Sequence, residues 1–231
     1  AVGVWSNPEQ FNQWQRMAKA LSSSHLVPQD YRGERGMASC LIALNMSARM
    51  GVDPLMLIQN MDVIHGKPSL SSKFLIAQIN GSNKFSPLRF EFKDLGTKKM
   101  KYGAKDNQGN WVQKDVTLEN RACRAVTVDL KSKEELAGEW VSLETAVLEG
   151  WYGKKGSKWK TMPGQMLRYR AASWWANIYY PEGKLGMPTN EESLDRIEVI
   201  ETNDTIADLN NSAAPEIEDA TITLDRASES K

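Results

Sequence analysis

Residues 62–92 read "DVIHGKPSLSSKFLIAQINGSNKFSPLRFEF", and within them the spacing of apolar side chains changes twice. "DVIHGKPSLS" has short apolar runs on both sides of Gly66, the pattern of a β-hairpin with Pro68 on an edge. Ser71 or Ser72 then caps a helix that turns Phe74, Leu75, Ile76 and Ile79 inward. From residue 87 the period falls to two. Leu88, Phe90 and Phe92 alternate with Arg89, Glu91 and Lys93, as in a half-buried strand.

Working outward, the preceding residues are helical. Asn7 caps and Pro8 opens a helix with Phe11, Trp14, Met17, Ala18 and Leu21 at helical spacing. "GERGMASCLIALNMSARMG" forms a second, apolar at Leu41, Ile42, Leu44 and Met46 and ended by Gly51. Asp53 and Pro54 start a third. Beyond residue 92, turn signals at 107–110 separate strand-like runs, of which "RAVTVDL" is the strongest. "SLETAVLEGWYG" and "MPGQMLRYRAASWWANIYY" close the domain as helices. Helices, then a β-meander enclosing one helix, then helices define an α+β fold rather than an alternating doubly wound sheet.

The chain has 231 residues and a formal net charge of zero. That zero conceals two opposed poles. Residues 191–231 hold twelve acids against three bases, leaving 26 bases against 17 acids in residues 1–190. The acidic part has no aromatic residue and cannot bury enough apolar surface to offset its ordering entropy. It reads as a tail, disordered from about Ile200 onward, in which "IEDATITL" could dock on a partner. Residues 1–190 read as one basic domain. No apolar run approaches a membrane span, and the opening residues show no secretory signal. Cys40 and Cys123, far apart, make neither a zinc pattern nor a disulfide framework and read as buried free thiols. A reducing, cytoplasmic setting is expected.

The cations are concentrated. Residues 151–181, "WYGKKGSKWKTMPGQMLRYRAASWWANIYYP", contain no acid, six Lys or Arg and eight Trp or Tyr. Lysines attract phosphate, arginines clamp it, and rings stack unpaired bases. Neutralising several phosphates gives affinity without base specificity. Lys154, Lys155, Lys158 and Lys160 form a loop with no packing reason to exist. Trp151 and Trp159 flank it, within reach of bases. Arg168 and Arg170 lie two apart and cannot share one helical face. Leu167, Ala171, Trp174 and Ile178 recur at helical spacing, which assigns Trp174 to the core. Single-stranded nucleic acid is the ligand such a surface suits.

Other chemistries find less. "GKPS" at residues 66–69 lacks the upstream glycine of a phosphate loop, and Pro68 removes a backbone donor. Neither a nucleotide nor a metal cofactor is expected. His25 reads as solvated, and His65 beside Lys67 either touches phosphate or is a plain turn residue, with no serine-hydrolase elbow in the chain. A Mg²⁺-dependent nuclease could use the acid-x-Lys strand ends Glu91-Phe92-Lys93 and Asp129-Leu130-Lys131. A third reading is an interaction protein whose basic surface meets an acidic protein instead of DNA.

"ARMGVDPLMLIQNMDVIHGKPSLSSKFLIAQINGSNKFSPLRFEF" resembles the central region of the RecT family of phage and prophage recombinases. "WKTMPGQMLRYRAASWWANIYYPE" resembles that family's closing pattern. Together the likeness spans residues 38–192, through the order and spacing of several short motifs. It implies an ATP-independent protein that binds single-stranded DNA and anneals complementary strands in phage-type homologous recombination. It implies a curved antiparallel β-meander packed on helices, and a homo-oligomeric ring or helical filament with DNA in a basic groove across subunits. It further implies a bacterial host cell, a partner exonuclease and a tail that contacts the host single-strand-binding protein. The closing helix of the family has two adjacent basic residues after its Met and an Arg further on. Arg168 matches the first, Tyr169 replaces the second, Ser173 and Trp174 stand near the later Arg, and Arg170 is extra. Arg168 is thus the groove residue carried over best, with Lys67 a second contact. Residues 98–120 read as an insertion.

Overall fold

Each change of period in residues 62–92 is a change of element in the computed structural model, which describes residues 7–201 and their side chains as far as 195. Strand β1 (Met61–Ile64) pairs antiparallel with β2 (Lys67–Leu70). His65 and Gly66 between them have φ of 49° and 73°, the turn that matches the twist of paired strands and that suits glycine. The Ser71 hydroxyl then accepts the Phe74 N–H at 3.2 Å and starts a helix over Ser72–Gly81.

Three helices precede this hairpin: α1 (Pro8–Ser22), α2 (Gly33–Met50) and α3 (Pro54–Ile58), so the helix over Ser72–Gly81 is α4. Asn7 caps α1 by accepting two backbone N–H groups, and Asp53 caps α3. Ala18, Val27, Tyr31, Cys40, Ala43, Leu44, Leu57, Ile58 and Phe74 form one core cluster. The Tyr31 hydroxyl donates to the Met61 carbonyl at 3.0 Å and ties these helices to β1. The sequence puts Ile42 on the buried face of α2, but it is 51% exposed. Instead α2 turns its small residues Gly36, Cys40 and Ala43 inward, and Gly36 sits so close to the Tyr31 backbone that a Cβ there would clash.

The second layer is dominated by one hairpin. Strand β3 (Arg89–Lys105) pairs along its length with β4 (Trp111–Val128). Residues 98–120, which read as an insertion, are its outer half. One extra residue on β3 between Asp94 and Thr97 makes a β-bulge, which bends the strand and increases its twist. Strands β5 (Glu135–Ala137) and β6 (Val141–Ser142) both pair with β4, completing an antiparallel meander. Helices α5 (Leu143–Leu148), α6 (Lys158–Thr161) and α7 (Pro163–Tyr179) follow, and α7 packs on β4. Helix α5 stops at Leu148, short of the Gly153 that the sequence suggests.

Leu75 and Ile79 of α4 join Leu118, Cys123, Ala125, Trp159, Leu167, Ala171 and Trp175 in a second core cluster. Helix α4 therefore contributes to both. Trp174, expected inside, is half-buried, and Trp175 is the ring with no exposed surface. The inward stripe runs Leu167, Ala171, Trp175 at intervals of four, and the Trp175 N–H donates to the Leu136 carbonyl at 2.9 Å. The fold is α+β, with helices packed against an antiparallel meander. Both cysteines are buried free thiols. Among the described residues no helix is long and apolar enough to cross a membrane.

The last helix, α8 (Asn190–Glu201), overrides the boundary drawn at residue 190. The compact body extends through Asp195, because the first acids of the tail sequence have buried partners there. The expectations for residues 202–231, "IEDATITL" among them, lie outside the described residues.

Candidate nucleic-acid interface

The cation-rich stretch 151–181 is divided by burial into two sets. Its loop is held against the β3–β4 hairpin by Gly153, where a Cβ would stand 1.8 Å from the Gly103 carbonyl oxygen. No other residue fits that approach. The Ser157 hydroxyl donates to the Trp151 carbonyl at 2.7 Å and closes the loop before α6. This arrangement sets the Lys160 ammonium 4.7 Å from the ring centre of Tyr102 on β3 and 5.4 Å from that of Tyr152. Lys160 remains exposed, as do Lys155 and Lys158.

Two positions on an α-helix differ by about 200° around its axis, and Arg168 and Arg170 obey this. Arg170 faces inward and is 7% exposed. Its guanidinium lies 3.9 Å from the Trp151 ring centre, donates to the Asp195 carboxylate and sits 4.0 Å from Glu192. The Lys154 ammonium donates to the carbonyls of Leu194 and Asp195. Buried Lys184 lies 3.9 Å from Glu192. Burial lowers the Arg170 pKa, opposed by the attraction of Asp195 and Glu192. For Glu192, burial raises the pKa, but the Ser173 hydroxyl, the Thr189 N–H, Lys184 and Arg170 outweigh it and hold the carboxyl below its ordinary value. Burial pushes Asp195 up, against the pull of Arg170 and Lys154.

Arg168 faces outward and stands 4.8 Å from the ring centre of Phe92, a residue 38% exposed on β3. Arg121 of β4 approaches the same ring at 5.9 Å. Phe92 pairs with Cys123, so Arg121, two residues on, projects from the same face of the sheet. Burial pushes the Cys123 thiol up to about 11, with Arg168 pulling the other way. Arg121 and Arg168 are exposed, and neither has an acidic partner among the described residues. Nothing in the linear sequence marked Arg121. Only the strand register, which aligns it with a helix some fifty positions later, brings it here.

Several expected contacts prove structural. Trp159 is 1% exposed and packs on Trp151 at 5.4 Å between centres, so it is core and no base reaches it. Arg170 and Lys154 are occupied by α8, and Trp151 is half-buried beneath Arg170. Lys67 is exposed on the β1–β2 hairpin, whose Met61 and Leu70 belong to the first core cluster. The structure therefore brings Arg168 to Phe92 and Arg121, and Lys160 to Tyr102 and Tyr152, with Lys155 of the loop and Lys158 of α6 exposed.

The acid-x-Lys ends are engaged elsewhere. Glu91 accepts from Arg124 at 2.8 Å, and Arg124 stacks 4.9 Å from the ring centre of Trp140. Asp129 accepts the N–H groups of Lys131 and Ser132, which lower its pKa. Among the described residues no three His, Cys, Asp or Glu side chains are grouped to hold a metal ion. Comparison with protein-family models, with curated proteins and with solved structures gives no match to the chain.

Proposed function

We propose that the protein binds single-stranded DNA along the edge where α6 and α7 meet β3, and anneals complementary strands without ATP. The observation that carries this reading is the pair of exposed guanidinium groups, Arg168 and Arg121, with no acidic partner among the described residues, over one half-exposed Phe92 ring. A ring offers every base a stacking surface worth about 1–3 kcal/mol, and two arginines beside it offer bidentate contacts to the flanking phosphates. Lys160 over Tyr102 and Tyr152, with Lys155 and Lys158 nearby, extends the same combination along the α6 side. Such a surface concentrates and extends strands while leaving pairing edges free. Correct pairs then add stacking energy, and mismatched ones dissociate. No covalent step is required of the protein, in keeping with the resemblance to RecT recombinases and with assembly of several copies along one strand. An exonuclease that supplies single strands and a host single-strand-binding protein are its expected partners.

The test mixes two complementary labelled oligonucleotides with the protein, without ATP, with and without Mg²⁺. Faster duplex formation in both conditions is the expected result. Mg²⁺-dependent shortening of either strand would replace this reading with a nuclease. No effect on either strand, with no binding at low salt, would leave an interaction protein for an acidic partner.

A further inference from the structure

Strand β4 alternates without interruption from Trp111 to Arg121, so the odd-numbered side chains between them share one face of the sheet. The extra residue of the β3 bulge shifts the other strand by one position. Beyond it Lys99, Lys101 and Lys105, opposite Thr117, Asp115 and Trp111, therefore join the face that carries Phe92, opposite Cys123. On the outer hairpin this face is the open one, since Met100, Tyr102, Val116 and Leu118 pack into the second core cluster from the other side. Trp111 is 56% exposed. A Cβ at Gly103 would stand 3.5 Å from its ring, so the ring lies against that glycine, and the Lys105 ammonium is 5.7 Å from the ring centre. Trp111 fills neither core. At the far end of the hairpin it repeats the ring-and-cation pairing of Phe92 with Arg121 and Arg168. Between the two rings Lys99 and Lys101 are exposed, and neither has an acidic partner among the described residues. The acids of this face are Asp115 and Glu119 on β4, and Asp94 at the bulge, which accepts the Gly96 N–H at 2.9 Å. Beyond the bulge the lysines thus form a row along β3, with the acids on the neighbouring strand.

We infer that this face continues the single-strand site: a strand stacked on Phe92 runs its phosphates past Lys99 and Lys101 and stacks a second base on Trp111. The inference rests on the single-strand-binding reading above and extends that site along the hairpin. Trp111 and Arg121 are ten positions apart on β4, roughly 33 Å at about 3.3 Å per residue. That span takes about ten nucleotides at the roughly 3.4 Å spacing of a stacked strand, and fewer when the strand is extended. Rings stack any base and lysines attract phosphate as point charges, so the track reads no sequence. A duplex keeps its base faces stacked inside and offers neither ring a partner, which makes the occupant an unpaired strand.

The test titrates a labelled oligothymidine of about 20 nucleotides, long enough to span both rings, across a salt series. Trp111→Leu keeps an apolar cover on Gly103 but loses the ring face, and should weaken binding by about fivefold or more with an unchanged salt slope. Trp111→Phe should stay within about twofold of the wild type. Wild-type affinity in Trp111→Leu overturns the inference and leaves the reading above standing, whereas no binding by the wild type overturns both. Equal losses in the Leu and Phe variants, with a lowered urea midpoint, would make the ring a prop of the hairpin and overturn the inference. Lys99→Gln/Lys101→Gln should make the slope of log K against log salt shallower by about 1.4, at roughly 0.7 per phosphate, and an unchanged slope overturns the phosphate row. With an oligothymidine of about 4 nucleotides, too short to reach both rings, the loss on Trp111→Leu should fall to within about twofold, because the strand settles at Phe92. An equal loss at both lengths overturns the continuous track. If Trp111→Leu instead breaks an assembly of copies seen by sedimentation and leaves oligothymidine affinity intact, the ring is a contact between copies and the inference fails.

Discussion

Arg168 and Arg170 stand two residues apart on α7 with the same chemistry and opposite surroundings. Arg170 is enclosed by Trp151, Glu192 and Asp195. Arg168 faces solvent across Phe92, beside Arg121. A buried guanidinium requires partners, so Arg170 and its acids hold the closing segment of the body in place. An exposed guanidinium without an acid requires nothing from the fold and is open to a ligand. Charge density along a sequence cannot separate these two roles, whereas burial and pairing do.

Four substitutions test the contrast, from the most damaging downward. Arg170→Ala takes the guanidinium from buried Asp195 and leaves Glu192 with Lys184 alone, and should destabilise the fold by about 3–5 kcal/mol, read from urea denaturation. A loss below about 1 kcal/mol would mean that the enclosed arginine is not structural. Glu192→Gln should cost about 1.5–3 kcal/mol at neutral pH. Because the folded state holds Glu192 below its ordinary value, the stability it provides is present above that value and is lost as pH falls through its folded pKa. The cost of Glu192→Gln should therefore stay constant from neutral pH down to the ordinary glutamate value and shrink below it, and a cost that grows on acidification would contradict the assignment.

On the exposed side, the effects should move from stability to binding. Phe92→Ala removes a stacking surface and should weaken binding to oligothymidine by about 1–3 kcal/mol, measured by fluorescence anisotropy. Arg168→Ala should change stability by no more than about 0.5 kcal/mol while making the salt slope shallower by about 0.7. If Arg168→Ala unfolds the protein, the two arginines do not differ in the way described.

Much of the fold was legible in the sequence because it rests on local periods. The hairpin at Gly66, the Ser71 cap and the alternation from Leu88 all depend on neighbours within a few residues. The opposite facing of Arg168 and Arg170 followed from helical geometry alone. What escaped was set by distant contacts. Trp175 displaced Trp174 from the core because α7 is turned toward Gly138 and Leu136, near β5. Residues 98–120 escaped because their alternation is carried by few large apolar side chains: Met100, Tyr102 and Ala104 are at least partly buried between exposed Lys99, Lys101, Gly103 and Lys105. The tail boundary was misplaced by five residues, since Glu192 and Asp195 find cations some 8 to 41 positions earlier. Arg121 could be found only through the β3–β4 register.

The central claim is that Arg168 and Arg121, flanking Phe92, hold the phosphates of an unpaired strand. It is tested most directly by measuring oligothymidine affinity across a salt series for the wild type and for Arg168→Ala/Arg121→Ala. The account predicts salt-steep binding by the wild type and a slope shallower by about 1.4 in the double variant, with folding intact. Identical slopes for the two proteins, or no binding by the wild type at low salt, would contradict it.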